Sequence, residues 1–415
     1  MFSIQNIFIY FFGTFINALP QLLLLPLISS YFPVEDFALL SIFSASSAIA
    51  ICFIAFNSYS YAQVEFFKGE AELKKNIAAI NILLLLSLTF LIVLVSFILF
   101  FFNVYFIEKY YFLIYFSIIH AFVITLINIR LSILQMQDNA PIFILIQLFI
   151  SISGLIISYI LIKNYEMGLN GRIIGMIVPS LITFVLISLT FQRKSFLNIR
   201  SSLQNVTKVF KFGIVFVQYK LIKQLRAHTD KFIIIFYLGL VDAGIYAMAL
   251  SVSIPIMLLN TSFDKIITPR IIKLFSISNN KNIYKALMPY ITFALSGLIF
   301  FSTCYYLILI NFFDIFIDEQ YSRSLSITHI IIAGTIFQGL NSINITAFSY
   351  FKQGIFLSKL SYIIYFVQLL ASILLITSFG LDGGAYGYLF TYFTGFIITS
   401  FALIKYQSYF IIIKK

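Results

Sequence analysis

Apolar runs of twenty or more residues recur along the whole of this 415-residue chain, and the polar connections between them stay under about 25 residues. Runs that long, almost free of charge, need hydrocarbon around them. Helices alone can string such runs together in lipid, because a helix satisfies every backbone polar group within itself. The composition agrees, with 61% hydrophobic and 10% charged residues and a mean hydropathy of +1.01. The expected fold class is therefore an all-α polytopic membrane protein. Twelve spans can be drawn, at about 4–30, 37–58, 77–102, 110–136, 141–162, 172–192, 209–239, 243–263, 285–310, 323–348, 357–378 and 384–405.

Proline marks several spans: Pro20 and Pro26 in the first, Pro141 opening the fifth, Pro179 in the sixth, Pro255 in the eighth and Pro289 in the ninth. Each removes a backbone hydrogen bond and favours a kink. The apolar stretch from Ile7 to Leu27 is too long for a cleaved leader and lacks a basic start, so it is expected to stay as the first span. With the N-terminus inside, eighteen Lys and Arg residues fall on the cytoplasmic side. The outer loops keep Lys109, Lys163, Arg172 and Arg323. Both termini are thus expected in the cytoplasm. Basic residues spread among loops give no nucleic-acid signature, despite a net charge of +12. Cys52 and Cys304 lie in apolar spans without Cys or His neighbours, which suits small buried side chains.

The chain repeats itself. GLNGRIIG at 168–175 leads into the sixth span and GLDGGAYG at 380–387 into the twelfth, with four of eight positions identical at a separation of 212 residues. A weaker echo sets FPVEDFALLSIFSA (32–45) against GLVDAGIYAMALSV (239–252). The expected organisation is two six-helix lobes, residues 1–200 and 201–415, joined by a basic linker at 193–208. Six spans is an even number, so the lobes enter from the same side as parallel repeats. The glycines of the two turns suit tight corners and close helix approach.

One span breaks the apolar rule. Between Val209 and Gly239 the chain carries Lys220, Lys223, Arg226, Asp230 and Lys231. At about 100° per residue they share one arc with Gln224 and His228. Lipid cannot face that arc, since each charge at the bilayer centre costs on the order of 2.5–3.5 kcal/mol. Two readings stand: a wet cavity that takes an anion, or an internal ion-pair network around Asp230 with the outer cations snorkelling. Arg would grip a phosphate by two bonds and Lys as a point charge. Asn17 and Gln21 on the first span, and Thr125, Asn128, Ser132 and Gln135 on the fourth, suit either cavity lining or helix contact. Gln338 and Asn341 on the tenth are read in the same two ways.

Catalysis has little to stand on. His120, His228 and His329 lie on different spans, no paired carboxylates sit within a span, and no phosphate loop for a nucleotide occurs, so neither an enzyme nor a cofactor is expected.

The residues Lys211 and Gly213, DKFIIIFYLG (230–239) and DAGIYAMA (242–249), with the two glycine turns and the FPVEDFA turn, resemble the flippases of the multidrug/oligosaccharidyl-lipid/polysaccharide (MOP) exporter superfamily. They are most similar to its Wzx-type O-antigen flippases, although Ala38 stands where that family usually has Gly. The resemblance implies a MATE-like, V-shaped, two-lobed fold that alternates between inward- and outward-facing states. It implies as substrate an undecaprenyl-pyrophosphate-linked oligosaccharide, moved between leaflets of a bacterial inner membrane for O-antigen, lipopolysaccharide or capsule synthesis. A polysaccharide polymerase and a chain-length regulator would be its partners. On this reading Lys220, Lys223 and Arg226 accept pyrophosphate or acidic sugars, Lys231 adds charge, and Asp230 tunes the site. A cation or drug antiporter of the same fold, a lipid II flippase of peptidoglycan synthesis (a family that usually carries two additional spans) and a non-transporting scaffold of an envelope-assembly complex remain as alternatives.

Overall fold

The computed structural model describes residues 16, 19–20, 22–66, 70–102, 111–191, 199–277, 283–351 and 353–414. Helices make up almost all of it, and no strand occurs among the described residues. They are α1 (Leu22–Tyr31), α2 (Val34–Ala55), α3 (Ser58–Phe66), α4 (Glu70–Phe102), α5 (Tyr111–Met136), α6 (Ala140–Lys163) and α7 (Gly168–Phe191). Then come α8 (Ile199–Leu238), α9 (Leu240–Val252), α10 (Ile254–Ile277), α11 (Ile283–Phe316), α12 (Arg323–Tyr350) and α13 (Gly354–Lys414). Among the described residues eight helices are long and apolar enough to cross a membrane, nine if α9 and α10 form one bent span.

Large apolar side chains stand bare on the outside. On α4, Leu86, Phe90, Val93 and Phe97 are all more than half exposed at the 4-3-4 spacing of one helix face. A soluble protein does not show such a stripe. Lipid covers it. The interior instead holds fully buried hydroxyls such as Ser117 and Thr125 beside Ile54, Ile80 and Leu84.

Local chemistry sets the helix ends. Asn139 caps α6 by accepting the Ile142 N–H, and Pro141 stands in the first turn, where its missing N–H costs nothing. The expected eighth span is broken at Ser253, with α9 and α10 bent by 42°. Pro255 has no N–H to give back to the preceding turn, which accounts for the break. Pro179 and Pro289 are held inside continuous helices. The bend expected in the opening span falls mostly on residues outside those described.

The repeat is built as well as written. Gly168 (φ 48°) opens α7, and Gly380 (φ 61°) divides α13 into two arms. Both occupy the left-handed region, where other L-residues are strained. Seven residues on, Gly175 faces Ser158 and Gly387 faces Ser372. A Cβ on Gly175 would come within 2.9 Å of the Ser158 nitrogen, and one on Gly387 within 3.1 Å of the Ser372 hydroxyl. The glycines advance by 212 residues between halves and the serines by 214, so the two corners repeat the same contact across connections that differ by two residues.

The chain forms two compact units, Met1–Leu27 with Leu39–Gln224, and Ile28–Ala38 with Leu225–Lys415. The division falls inside α8, where the sequence pattern suggested lobes meeting at 200 and 201. Residues 28–38 join the second unit for a specific reason. The Gln320 side chain donates to the carbonyls of Ser29 (2.7 Å) and Phe32 (3.1 Å), and the Tyr321 hydroxyl donates to Phe32 (3.3 Å). Burial, and then the carboxylates of Asp36, Asp318 and Glu35, push the Tyr321 phenol well above its usual range, so it stays a donor.

Removing the two Gln320 bonds by Gln320→Ala is expected to cost about 1–3 kcal/mol. Gly380→Ala costs about 1–2 kcal/mol through its backbone angle. Both lower the thermal midpoint by a few degrees in circular dichroism at 222 nm, without changing helix content.

Candidate functional site

The charged arc lies on α8, which is helical without interruption for 40 residues. Its cations exclude it from the helices apolar enough to cross a membrane unaided. Each member meets different surroundings.

Lys220 is held within the first unit. Its ammonium donates to Asn57 Oδ1 and the Tyr59 hydroxyl, and it lies 3.9 Å from the centre of the Tyr59 ring. The turn between α2 and α3 is shaped for this contact. Phe56 and Asn57 both take positive φ, Ser60 donates to the Asn57 side chain at 2.9 Å, and Gly213 of α8 lies directly against Phe56. Neutral oxygens and a ring face thus solvate this cation in place of water. Lys223 is exposed, and Lys231 is partly exposed beside His228.

In the second unit, the Arg226 guanidinium lies 5.8 Å from the Tyr392 ring. A Cβ on Gly395 would come within 3.1 Å of its Nη2, so the missing side chain makes room for it. Asp230 is 3% exposed, and its carboxylate accepts the Ser372 hydroxyl at 2.6 Å. Tyr392 stands within electrostatic range of both Arg226 and Asp230. Gln368 donates to the Arg226 carbonyl at 2.8 Å.

The other polar residues split between the two roles left open by the sequence. Gln338 donates to the Tyr392 hydroxyl (3.3 Å) and Asn341 accepts from Thr399 (2.8 Å), so both join α12 to α13. Thr125 is fully buried and bonded to its own helix at the Ala121 carbonyl. Asn128 does line a cavity. That cavity, about 260 Å³, lies within the first unit between α5, α6 and α7, with His120, Gln147, Arg172 and Ser180 also on its wall. Asn17 and Gln21 lie outside the described residues.

Arg172 is the main correction. The charge pattern places it in an outer loop, but it sits on α7 and turns inward, donating to Ser158 at 3.0 Å. The sequence did carry a signal for it. Within the repeated turns Arg172 corresponds to Gly384, the one place where a charge replaces a glycine. Asn57, Tyr59, Ser372 and Tyr392 were also missed, since partners distant in sequence leave no periodic trace.

No protein-family model matches the chain, and no curated protein matches its sequence. Solved structures do match it. The lipid II flippase MurJ, in an inward closed conformation, is 16% identical over 98% of this chain and 90% of its own, with a TM-score of 0.72. An inward-facing multidrug resistance MATE transporter of the MOP superfamily is 14% identical over 95% of each chain, with a TM-score of 0.70. A MOP superfamily transporter from Pyrococcus furiosus, whose binding pocket of reversed polarity suggests a different function, is 14% identical over 98% and 95%, with a TM-score of 0.59. The chain therefore has the MATE- and MurJ-like fold of MOP superfamily transporters, in a multi-pass membrane protein.

Ser372→Ala strips a buried carboxylate of its hydroxyl donor and is expected to cost about 1–3 kcal/mol. Asp230→Asn in the same background recovers most of that loss, because no buried charge is then left short of a partner. Thermal melts of the two single variants and the double variant check this coupling.

Proposed function

We propose that this protein is a flippase that moves undecaprenyl-pyrophosphate-linked oligosaccharide repeat units, of O-antigen or capsule type, across a bacterial inner membrane. The movement runs from the cytoplasmic to the periplasmic leaflet by alternating access, with both chain termini in the cytoplasm. The observation that carries this reading is the polar face of α8. It sets Lys220, Lys223 and Arg226 at successive intervals of three residues, with Lys231 beyond, against the single carboxylate Asp230. That carboxylate already receives Ser372. Three cations at bilayer depth cost on the order of 7–10 kcal/mol, and an anionic headgroup offsets that cost.

The surroundings suggest a division of labour. Lys220, occupied by Asn57 and Tyr59, anchors the face and contributes its field. Exposed Lys223 and the guanidinium of Arg226 are the members that meet pyrophosphate or acidic sugar. Arg226 supplies planar paired donors and Lys223 a mobile point charge. Asp230 keeps the face from accumulating more positive charge than substrate release permits. The likeness to a lipid II flippase agrees with a lipid-linked cargo. The likeness to multidrug transporters favours a second reading, a cation antiporter working through buried Asp230. The cationic excess on α8 argues against that, since a cationic drug would be repelled. A polysaccharide polymerase and a chain-length regulator are the partners this function calls for.

Deletion of the gene in its host, followed by complementation, tests the proposal. Loss of surface glycan is expected, with lipid-linked repeat units retained on the cytoplasmic side. Wild type restores the glycan, and the Lys220→Ala/Lys223→Ala/Arg226→Ala variant, expressed at equal level, restores roughly a tenth or less. Full rescue by the triple variant overturns the site. Unchanged glycan with altered tolerance to cationic drugs supports the antiporter instead, and unchanged glycan with neither effect supports a scaffold.

A further inference from the structure

The cavity of the first unit plays no part in that proposal, and its chemistry differs from the face of α8. Arg172 is the cation on its wall, and no carboxylate lines it among the described residues. One guanidinium nitrogen, Nη1, is spent on the neutral Ser158 hydroxyl. Nε is buried and has no hydrogen-bond partner among the described residues. Gln147 lines the same cavity, and its Oε1 is buried and without a hydrogen-bond partner among the described residues. A buried donor on a cation and a buried acceptor on an amide each cost free energy when left unmet, the charged group more. Two such atoms on one cavity wall therefore describe what the cavity takes.

The rest of the wall adds detail. His120, fixed by its Nδ1 contact with Ser47 at 3.0 Å, Asn128 and Ser180 offer further hydrogen bonds, while Ile124, Ile127 and Leu131 form an apolar side. A volume near 260 Å³ equals roughly nine waters at ~30 Å³ each, enough for one small ring and too little for a longer chain. Its position is fixed by packing, because Gly154 and Gly175 bring α6 and α7 together where any side chain would collide with backbone.

We propose that this cavity is a binding site for a sugar acid of the hexuronate type. The carboxylate pairs with Arg172, ring hydroxyls bond to Gln147 and Asn128, and the carbon face lies on the isoleucines. Anions without a hydroxyl satisfy Arg172 but leave Gln147 Oε1 without a donor, and phosphate, which has one, offers no carbon face to the isoleucines. Neutral sugars satisfy the amides but leave the cation unmatched. The inference rests on the cavity alone and stands apart from the lipid-linked cargo.

Isothermal titration of the purified full-length protein with glucuronate, glucose and inorganic phosphate tests it. Glucuronate is expected to bind roughly tenfold or more tighter than glucose or phosphate and to raise the thermal midpoint. Arg172→Gln should lower the glucuronate affinity at least about tenfold with glucose binding unaffected, whereas Gln147→Leu should weaken both sugars several-fold. Gln147→Leu also serves as the test if Arg172→Gln fails to fold. Phosphate binding as tightly as glucuronate would overturn the sugar-acid assignment. Glucuronate affinity unchanged in the folded variants, or no binding at all, would overturn the site.

Discussion

Charge on a helix at the depth of lipid is the constraint on which the rest of this structure depends. Each cation of α8 must find polar company or pay on the order of 2.5–3.5 kcal/mol, and the fold supplies that company in unequal ways. Lys220 receives a turn made for it, with Asn57 in a left-handed conformation and the Tyr59 ring alongside. Arg226 lies near an aromatic face, in space left by a glycine. Asp230 is sunk almost completely and accepts the Ser372 hydroxyl. Lys223 keeps an open side. The difference between the filled and the open members is what gives the helix a functional reading.

The internal repeat shows how one scaffold was turned to two electrostatic ends. Ser158 and Ser372 face equivalent glycines in equivalent corners. In the first half that serine accepts a bond from Arg172, and in the second it donates to Asp230. A hydroxyl suits both tasks because it can give or receive. The repeat position that carries Arg172 in one turn carries Gly384 in the other. The symmetry therefore belongs to packing, and the asymmetry to chemistry.

Much of the architecture was legible because lipid makes hydropathy and structure nearly the same thing. The eight long apolar helices fall where the apolar runs lie, the break at Ser253 follows from Pro255, and the left-handed glycines follow from the repeated turns. Three features were not legible. Residues 28–38 side with the second unit through bonds from Gln320 and Tyr321, almost three hundred residues away. The division inside α8 has no composition change to mark it. Arg172 turns inward because of Ser158 and a cavity that no local pattern announces. Periodicity reports which face of a helix is apolar, but not which neighbour meets the polar one.

Transport itself is the most direct measure of the central claim. Purified protein in proteoliposomes, supplied with a fluorescent polyprenyl-pyrophosphate oligosaccharide, is followed by the loss of signal to a membrane-impermeant quencher. Probe is expected to move between leaflets well above the rate in empty vesicles, and removing the pyrophosphate charge is expected to abolish the gain. Equal rates with and without the protein, or equal transport of an uncharged prenyl glycolipid, would contradict it.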